Sequence, residues 1–469
     1  MDFKLTIQPE WDSTADTVSA FQIAWESDQK TEAGGGLAAR ILEIVKIPSC
    51  PLEALHFTDD KGEIGYTTKD GEAEMGFVYR QRYISSRDTQ GRLCCSYRIL
   101  PRVQPEGYRS SPYFDLVAEK GGVNGAGATF QIHPENLEQK LSSTLSWDLS
   151  LLPEGCRGIW SYSAESTSKK EISASDLLFT FYAAGKVHAV EEGSVGFYWF
   201  DEMPIDAEGT AKNITKMFLY LSKKFQDKGG DYRVFARRNH FPGGGGTAAQ
   251  RSYLFGYGNQ DGLKAEELQP LLAHEMVHNW PSMSDNPPGA GTWYVEGSAE
   301  YYSVMVQLEM GIAPLETLAE EINEKAATYY ENPYIHLDNI ELGKIYWEDR
   351  AAQRLPYARG IIYLSNLDTQ IQRMTNGEKS LLDIELALLE IPQPDYKDFL
   401  RIGSQIAGFD LTPGFENMAN GGELVPDPDG FGGHFNVAPC RVKVNKASHR
   451  GDVELTGEER DGYRWSVRN

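Results

Sequence analysis

The chain has 469 residues, 41% hydrophobic and 24% charged, a composition of folded globular proteins and a length that calls for two or three domains. Lysine and arginine number 45 against 68 aspartates and glutamates, and the net charge of −23 sets nucleic acid and anionic membranes aside as partners. Five cysteines without a CxxC spacing argue against a disulfide framework and against a thiolate zinc site.

No apolar run reaches membrane-spanning length, and "MDFKLTIQPEWDSTAD" lacks the basic-then-apolar order of a secretory signal, so a cytoplasmic protein is expected. Residues 1–175 read as β-rich: short alternating or β-branched runs such as "FKLTIQ", "GFVYRQRYI", "RLCCSYRIL" and "ATFQIH" lie between Gly, Asp, Ser and Pro clusters. A sandwich-like domain is expected there. Ile214, Met217, Phe218, Leu221 and Phe225 then recur at helical spacing, followed by a strand "DYRVFARR", a glycine loop "HFPGGGGTAAQ" and a strand "RSYLFGYG". From about residue 263 helices dominate. "LKAEELQPLLAHEMVHNW" makes one, with Pro270 tolerable only near its first turn. "GTWYVEGSAEYYSVMVQLEM", "APLETLAEEINEKAATYY", "PYARGIIYLSNLDTQIQRM" and "SLLDIELALLEI" make four more. Residues 391–469 read as an extension of loop plus short strands. The fold class is therefore α+β and multidomain: a β-rich domain over 1–175, a mostly helical domain over 176–390, and the extension.

Within the first of these helices, "HEMVH" carries the chemistry. Residues four apart share a helix face, so His274 and His278 can bind one cation with both rings, while Glu275 is rotated off that pair and can face a water. A catalytic zinc needs a third protein ligand. Glu296 in "WYVEGSAEYY" supplies it, with 17 intervening residues for the chain to turn back alongside. A carboxylate flanked by Trp293, Tyr294, Val295 and Gly297 is an odd choice for a solvated face. Glu300, one turn on, can accept the free N–H of a ligand histidine. The plainer alternatives are a buried histidine pair without a ligand and a solvated Glu300.

These residues in this order resemble the gluzincin zinc metallopeptidases, and most closely the glycyl aminopeptidase family. The resemblance covers residues from about 175 to 390 and implies a thermolysin-like catalytic domain with one zinc per chain and a peptide substrate. It also implies that Tyr357 in "PYARG" is the oxyanion-stabilising tyrosine, with Gly360 in the place of that family's glycine and Arg359 where lysine is common. Upstream, Gly244, Gly245 and Gly246 stand where that family has a glycine-rich substrate-binding segment, their alternative being a flexible loop. One departure stands out. Aminopeptidases of this type carry a glutamate just after the glycines to hold the substrate α-amine, and here Thr247, Ala248, Ala249 and Gln250 follow instead.

If the site is complete, the resemblance implies Glu275 as general base and Tyr357 as hydrogen-bond donor to the oxyanion. The expected function is zinc-dependent peptide-bond hydrolysis without the usual amine anchor. The alternatives are a zinc hydrolase of a non-peptide amide or ester, and a catalytically inactive binding module of the same fold. No residue pattern sets an oligomeric state.

Overall fold

The computed structural model describes residues 1–71, 78–104, 112–239, 245–258, 264–446 and 454–468. A β-rich N-terminal part is followed by a helical part. Cα proximity divides the chain into two compact units, Met1–Thr215 with Gly229–Ala265, and Lys216–Lys228 with Glu266–Asn469.

In the first unit, strict alternation builds the sheets. Strand Asp2–Asp12 buries Phe3, Leu5 and Ile7 and turns Lys4 and Thr6 outward. It sits in a seven-stranded sheet, parallel to Lys140–Trp147 on one side and antiparallel to Thr17–Ser27 on the other. Five-stranded and four-stranded sheets share one apolar core with it, formed by Phe21, Trp25, Leu37, Tyr83, Val123, Trp160 and Tyr182 among others. Sandwich-like packing is the result. A mixed five-stranded sheet over residues 188–257 belongs to the same unit, with Gly245–Ala249 at its edge. It is tied in by Tyr113 N donating to Thr247 Oγ1 at 2.7 Å, by the Ser161 and Ser252 hydroxyls at 2.6 Å, and by Arg237 donating to the Asp115 carbonyl at 2.9 Å. The contacts thus divide the chain elsewhere than at residues 175 and 390.

The second unit is built from helices: the end of α1 (Ala207–Lys224), α2 (Ala265–Val277), α3 (Thr292–Met310), α4 (Leu315–Tyr330), α5 (Asn339–Ile345), α6 (Arg350–Met374), α7 (Leu381–Leu389), α8 (Tyr396–Ala407) and α9 (Thr412–Ala419). Pro270 and Pro356 both lie in the second turn of their helices rather than the first. In α6 the start is moved upstream by Asp349, whose carboxylate accepts from Ala351 N and Ala352 N. Among the described residues no helix is long and apolar enough to cross a membrane.

Residues 391–469 hold more regular structure than loop and short strands. A reciprocal cap between Asp395 and Asp398 starts α8, and aromatic contacts of Phe399 and Phe415 with Trp293, centroids 5.4 and 5.6 Å apart, dock α8 and α9 on α3. Strands Phe435–Lys446 and Glu454–Val467 then form a long two-stranded ribbon. It lies on α4, where Asn323 mimics a backbone partner, giving to Trp465 O at 2.9 Å and accepting from Trp465 N at 2.8 Å.

Helix α3 is the centre of this unit. It crosses α6 with glycine against glycine: a Cβ on Gly297 would stand 2.5 Å from Gly360 Cα, and one on Gly360 would fall on the Trp293 carbonyl. On another side, the buried Glu385 of α7 accepts from the Tyr294 hydroxyl and, at 3.3 Å, from Ser298 Oγ. Burial pushes its carboxyl up to about 7, the two hydrogen bonds only partly opposing this.

Two outcomes are expected. Gly360→Ala places a methyl against backbone that cannot swing away, and the urea midpoint should report a loss of about 2 kcal/mol or more. Glu385 has a folded-state pKa above its unfolded one, so its stabilising protonation is fully present below about pH 4.5 and lost as pH rises through about 7. Glu385→Gln should therefore leave stability at pH 4 nearly unchanged and raise it by roughly 1–3 kcal/mol at pH 8, flattening the pH profile of thermal unfolding.

Candidate metal centre

Helix α2 delivers both histidines, though its regular part ends at Val277 and His278 stands in the turn that closes it. That turn is tightened by Asn279 N donating to Met276 O at 3.1 Å and Trp280 N donating to Val277 O at 3.0 Å. Trp280 then anchors the end, its indole stacked on Phe225 with centroids 5.1 Å apart and its N–H given to Asp227 at 3.1 Å. The one-turn relation survives: the His274 and His278 rings lie 4.9 Å apart, with Nε2 atoms separated by 3.2 Å. A helix C-terminus also carries partial negative charge, which favours a cation there.

Helix α3 brings the carboxylates. Its first turn is held by Asp285 Oδ1, which accepts from Gly289 N, Gly291 N and Thr292 N at 2.8 to 3.0 Å. Glu296 Oε2 stands 3.4 Å from His274 Nε2 and 3.5 Å from His278 Nε2, so the three donor atoms form a nearly equilateral triangle. Zinc–nitrogen and zinc–oxygen bonds of about 2.0–2.1 Å in a tetrahedron space their donors by about 3.3 Å, and the triangle fits that ion. The chemistry fits too. Among the described residues the buried Glu296 Oε2 has no hydrogen-bond partner, which is costly unless a cation or proton meets it.

The electrostatics have the same sense. Burial disfavours charge on His274, but Glu300, Glu296 and Glu275 outweigh it and lift the imidazole pKa to about 10. Burial likewise pushes Glu296 up, and His278 and His274 outweigh it, leaving the carboxyl at about 2. The pocket holds enough negative charge to demand positive charge in return. Glu300 lies 3.5 Å from His274 Nδ1 and is paired with Lys325, which together with His274 holds its carboxyl well below the usual range against burial.

Tyr357 reaches the site from α6. Its ring stacks on that of His274, with centroids 5.8 Å apart and planes 6° from parallel. Burial, with the Glu296 charge and the Tyr346 hydroxyl, pushes its phenol well above the usual value, so it is a proton donor at neutral pH. Glu275 is half-buried, and its charge acts on both His274 and Tyr357. Two residues on, Arg359 is fully buried and binds Asn339 Oδ1 at 2.5 Å, Ile335 O at 3.0 Å and Leu337 O at 2.8 Å. It pins the segment that leads into α5.

The structure thus brings His274, His278, Glu296, Glu300 and Tyr357 together. Gly245 and Gly246 lie on the edge strand of the mixed sheet, and Gly244 lies outside the described residues. Thr247, where an acidic anchor would follow, is engaged by Tyr113 N. Lys325 and Tyr346 were not found by sequence reasoning. Glu321 and Lys325 form a readable i,i+4 pair, but that spacing is the commonest surface device and nothing in it says the pair turns inward.

No family profile and no curated protein matches the sequence. Solved structures do match in fold. An aminopeptidase N family protein from Idiomarina loihiensis superposes with a TM-score of 0.70 at 12% identity, over 94% of this chain and 79% of that one. A zinc metallopeptidase of the M1 type from Deinococcus radiodurans, solved as a variant bound to a Tyr-Ser-Ala substrate, gives 0.54 at 12% identity over 91% and 94%. Native leukotriene A4 hydrolase from Saccharomyces cerevisiae gives 0.54 at 12% identity over 92% and 69%. The chain shares the fold of these three structures.

Proposed function

We propose that the chain is a zinc-dependent peptidase, with one zinc held by His274, His278 and Glu296. The observation that carries this reading is the triangle of two imidazole nitrogens and a buried carboxylate oxygen that has no hydrogen bond among the described residues. Bound there, zinc would supply Lewis-acid polarisation of the substrate carbonyl and acidify a water to a pKa of about 7. Glu275 takes the proton of the attacking water and returns it to the leaving nitrogen. Tyr357, kept protonated, donates to the oxyanion, a contact stronger in the transition state than in the ground state. The Glu300 carboxylate, 3.5 Å from His274 Nδ1, favours a proton on that nitrogen and so leaves Nε2 free for the cation. The edge strand with Gly245 and Gly246 offers backbone groups with which an extended peptide pairs.

The absence of an acid between Thr247 and Gln250 favours hydrolysis that does not depend on a free α-amine. Cleavage of internal bonds is therefore the reading favoured over trimming of N-termini.

Natively purified protein should contain about one zinc per chain by elemental analysis. Glu275→Gln should keep that zinc and lose at least about a hundredfold in peptide hydrolysis, and Tyr357→Phe should lose about a hundredfold or more. Mass spectrometry of a peptide-library digest with free and acetylated N-termini separates the modes: acetylated peptides should be cut internally. Purified chain without zinc, or an undiminished Glu275→Gln variant, sinks the proposal.

A further inference from the structure

We infer that Lys325 is a positioning residue of the metal centre: it fixes the Glu300 carboxylate, and through it the His274 ring, so that Nε2 faces His278 and Glu296. This rests on the zinc reading above and adds to it a residue that touches none of the metal donors.

The argument starts from which contact of Glu300 is dominant. Its Oε1 lies 3.5 Å from His274 Nδ1, longer than a hydrogen bond, whereas its Oε2 is in direct contact with the Lys325 ammonium. A glutamate has three side-chain torsions, and here the lysine rather than the histidine sets them. Lys325 is held in turn from its far side. On α4 it pairs with Glu321 at 3.2 Å, and Glu321 Oε2 accepts from Gln307 Nε2 of α3 at 2.9 Å. Gln307 is 1% exposed and also gives to the Ser303 carbonyl at 2.9 Å. The chain His274, Glu300, Lys325, Glu321, Gln307 therefore crosses α2, α3 and α4, with Lys325 and Glu321 each held from two sides. Burying a lysine is costly unless it is paired, and this one, with a side chain 16% exposed, meets two carboxylates. One of the two has His274 as its other partner.

Charge alone predicts the opposite of positioning. A fixed cation near a dication weakens metal binding, so deleting it would tighten zinc if Lys325 acted only through its field. If it acts by holding Glu300, deletion loosens His274 and weakens zinc. The direction of the change therefore separates the two.

The test is zinc affinity of the full metal-free chain, measured by competition with a chromophoric chelator, alongside thermal unfolding of the metal-free protein. Lys325→Met should weaken zinc binding about tenfold, and Lys325→Arg should recover most of it. Because the lysine acts through Glu300, the double variant with Glu300→Gln should bind no more weakly than Glu300→Gln alone. Should Lys325→Met not fold, Lys325→Gln carries the same expectation. Unchanged or tighter zinc binding with a lowered melting temperature would reduce Lys325 to a strut between helices and overturn the inference, as would additive losses in the double variant. Wild-type protein that takes up no zinc would instead remove the functional reading on which this one stands.

Discussion

Glycine packed on glycine where α3 meets α6 is the constraint from which the centre follows. With Gly297 against Gly360, no side chain separates the two backbones. Glu296 precedes one of these glycines and Tyr357 lies three residues before the other, so the crossing fixes a carboxylate and a phenol relative to each other through main chain rather than flexible side chains. The His274 ring stacked on Tyr357, and its Nε2 near Glu296, are the third corner of that arrangement. Positioning by backbone is the cheapest route to a donor set that must be right to a few tenths of an ångström.

Around that crossing the unit is packed with aromatic rings. Trp293, Tyr294, Tyr301 and Tyr302 on α3 are all nearly inaccessible, and Trp293 alone meets Tyr363, Phe399 and Phe415. Large rings bury much apolar area at little entropic loss, which offsets the cost of the ionised groups carried by the same helix. Glu296 and Glu300 face His274, while Tyr294 and Ser298, two residues before each, face α7 and the buried Glu385. One helix thus carries both the carboxylates near His274 and the hydroxyls that meet Glu385.

What was legible in the sequence follows from how tightly chemistry fixes spacing. His274, Glu275 and His278 are bound to one turn by helix geometry, and Glu296 by the need to return alongside, so a short string sufficed to bring them out. The N-terminal strands were legible because Phe3, Leu5 and Ile7 alternate with polar neighbours. Helix α8 was not, since its fully buried positions are Phe399, Gly403 and Ala407, two of them small, and the apolar signal is thin although the Asp395 cap was there to read. The ribbon after Phe435 was underestimated in length because one face only is covered and its charged residues look like loop. Pro270 and Pro356 misled by one turn. A proline costs a helix one hydrogen bond and a local adjustment, and at each site flanking packing outweighs it.

Beyond the approach of Glu296 and Glu300 to the histidines, side-chain partners that cross between helices, such as Lys325 with Glu300, were not legible, and they bear on how the centre is assembled. Two carboxylates within ion-pair distance of one histidine would, with no counter-charge, repel each other and leave at least one buried charge unmet. The fold answers the two differently. Glu300 is given a lysine from its own protein, so its charge is satisfied whether or not an ion is bound. Among the described residues Glu296 is given none, and its inner oxygen has no hydrogen bond. On the zinc reading proposed above, an ion entering the centre would find one carboxylate whose charge is already met by a lysine and one, facing the two imidazoles, whose charge is left for the ion.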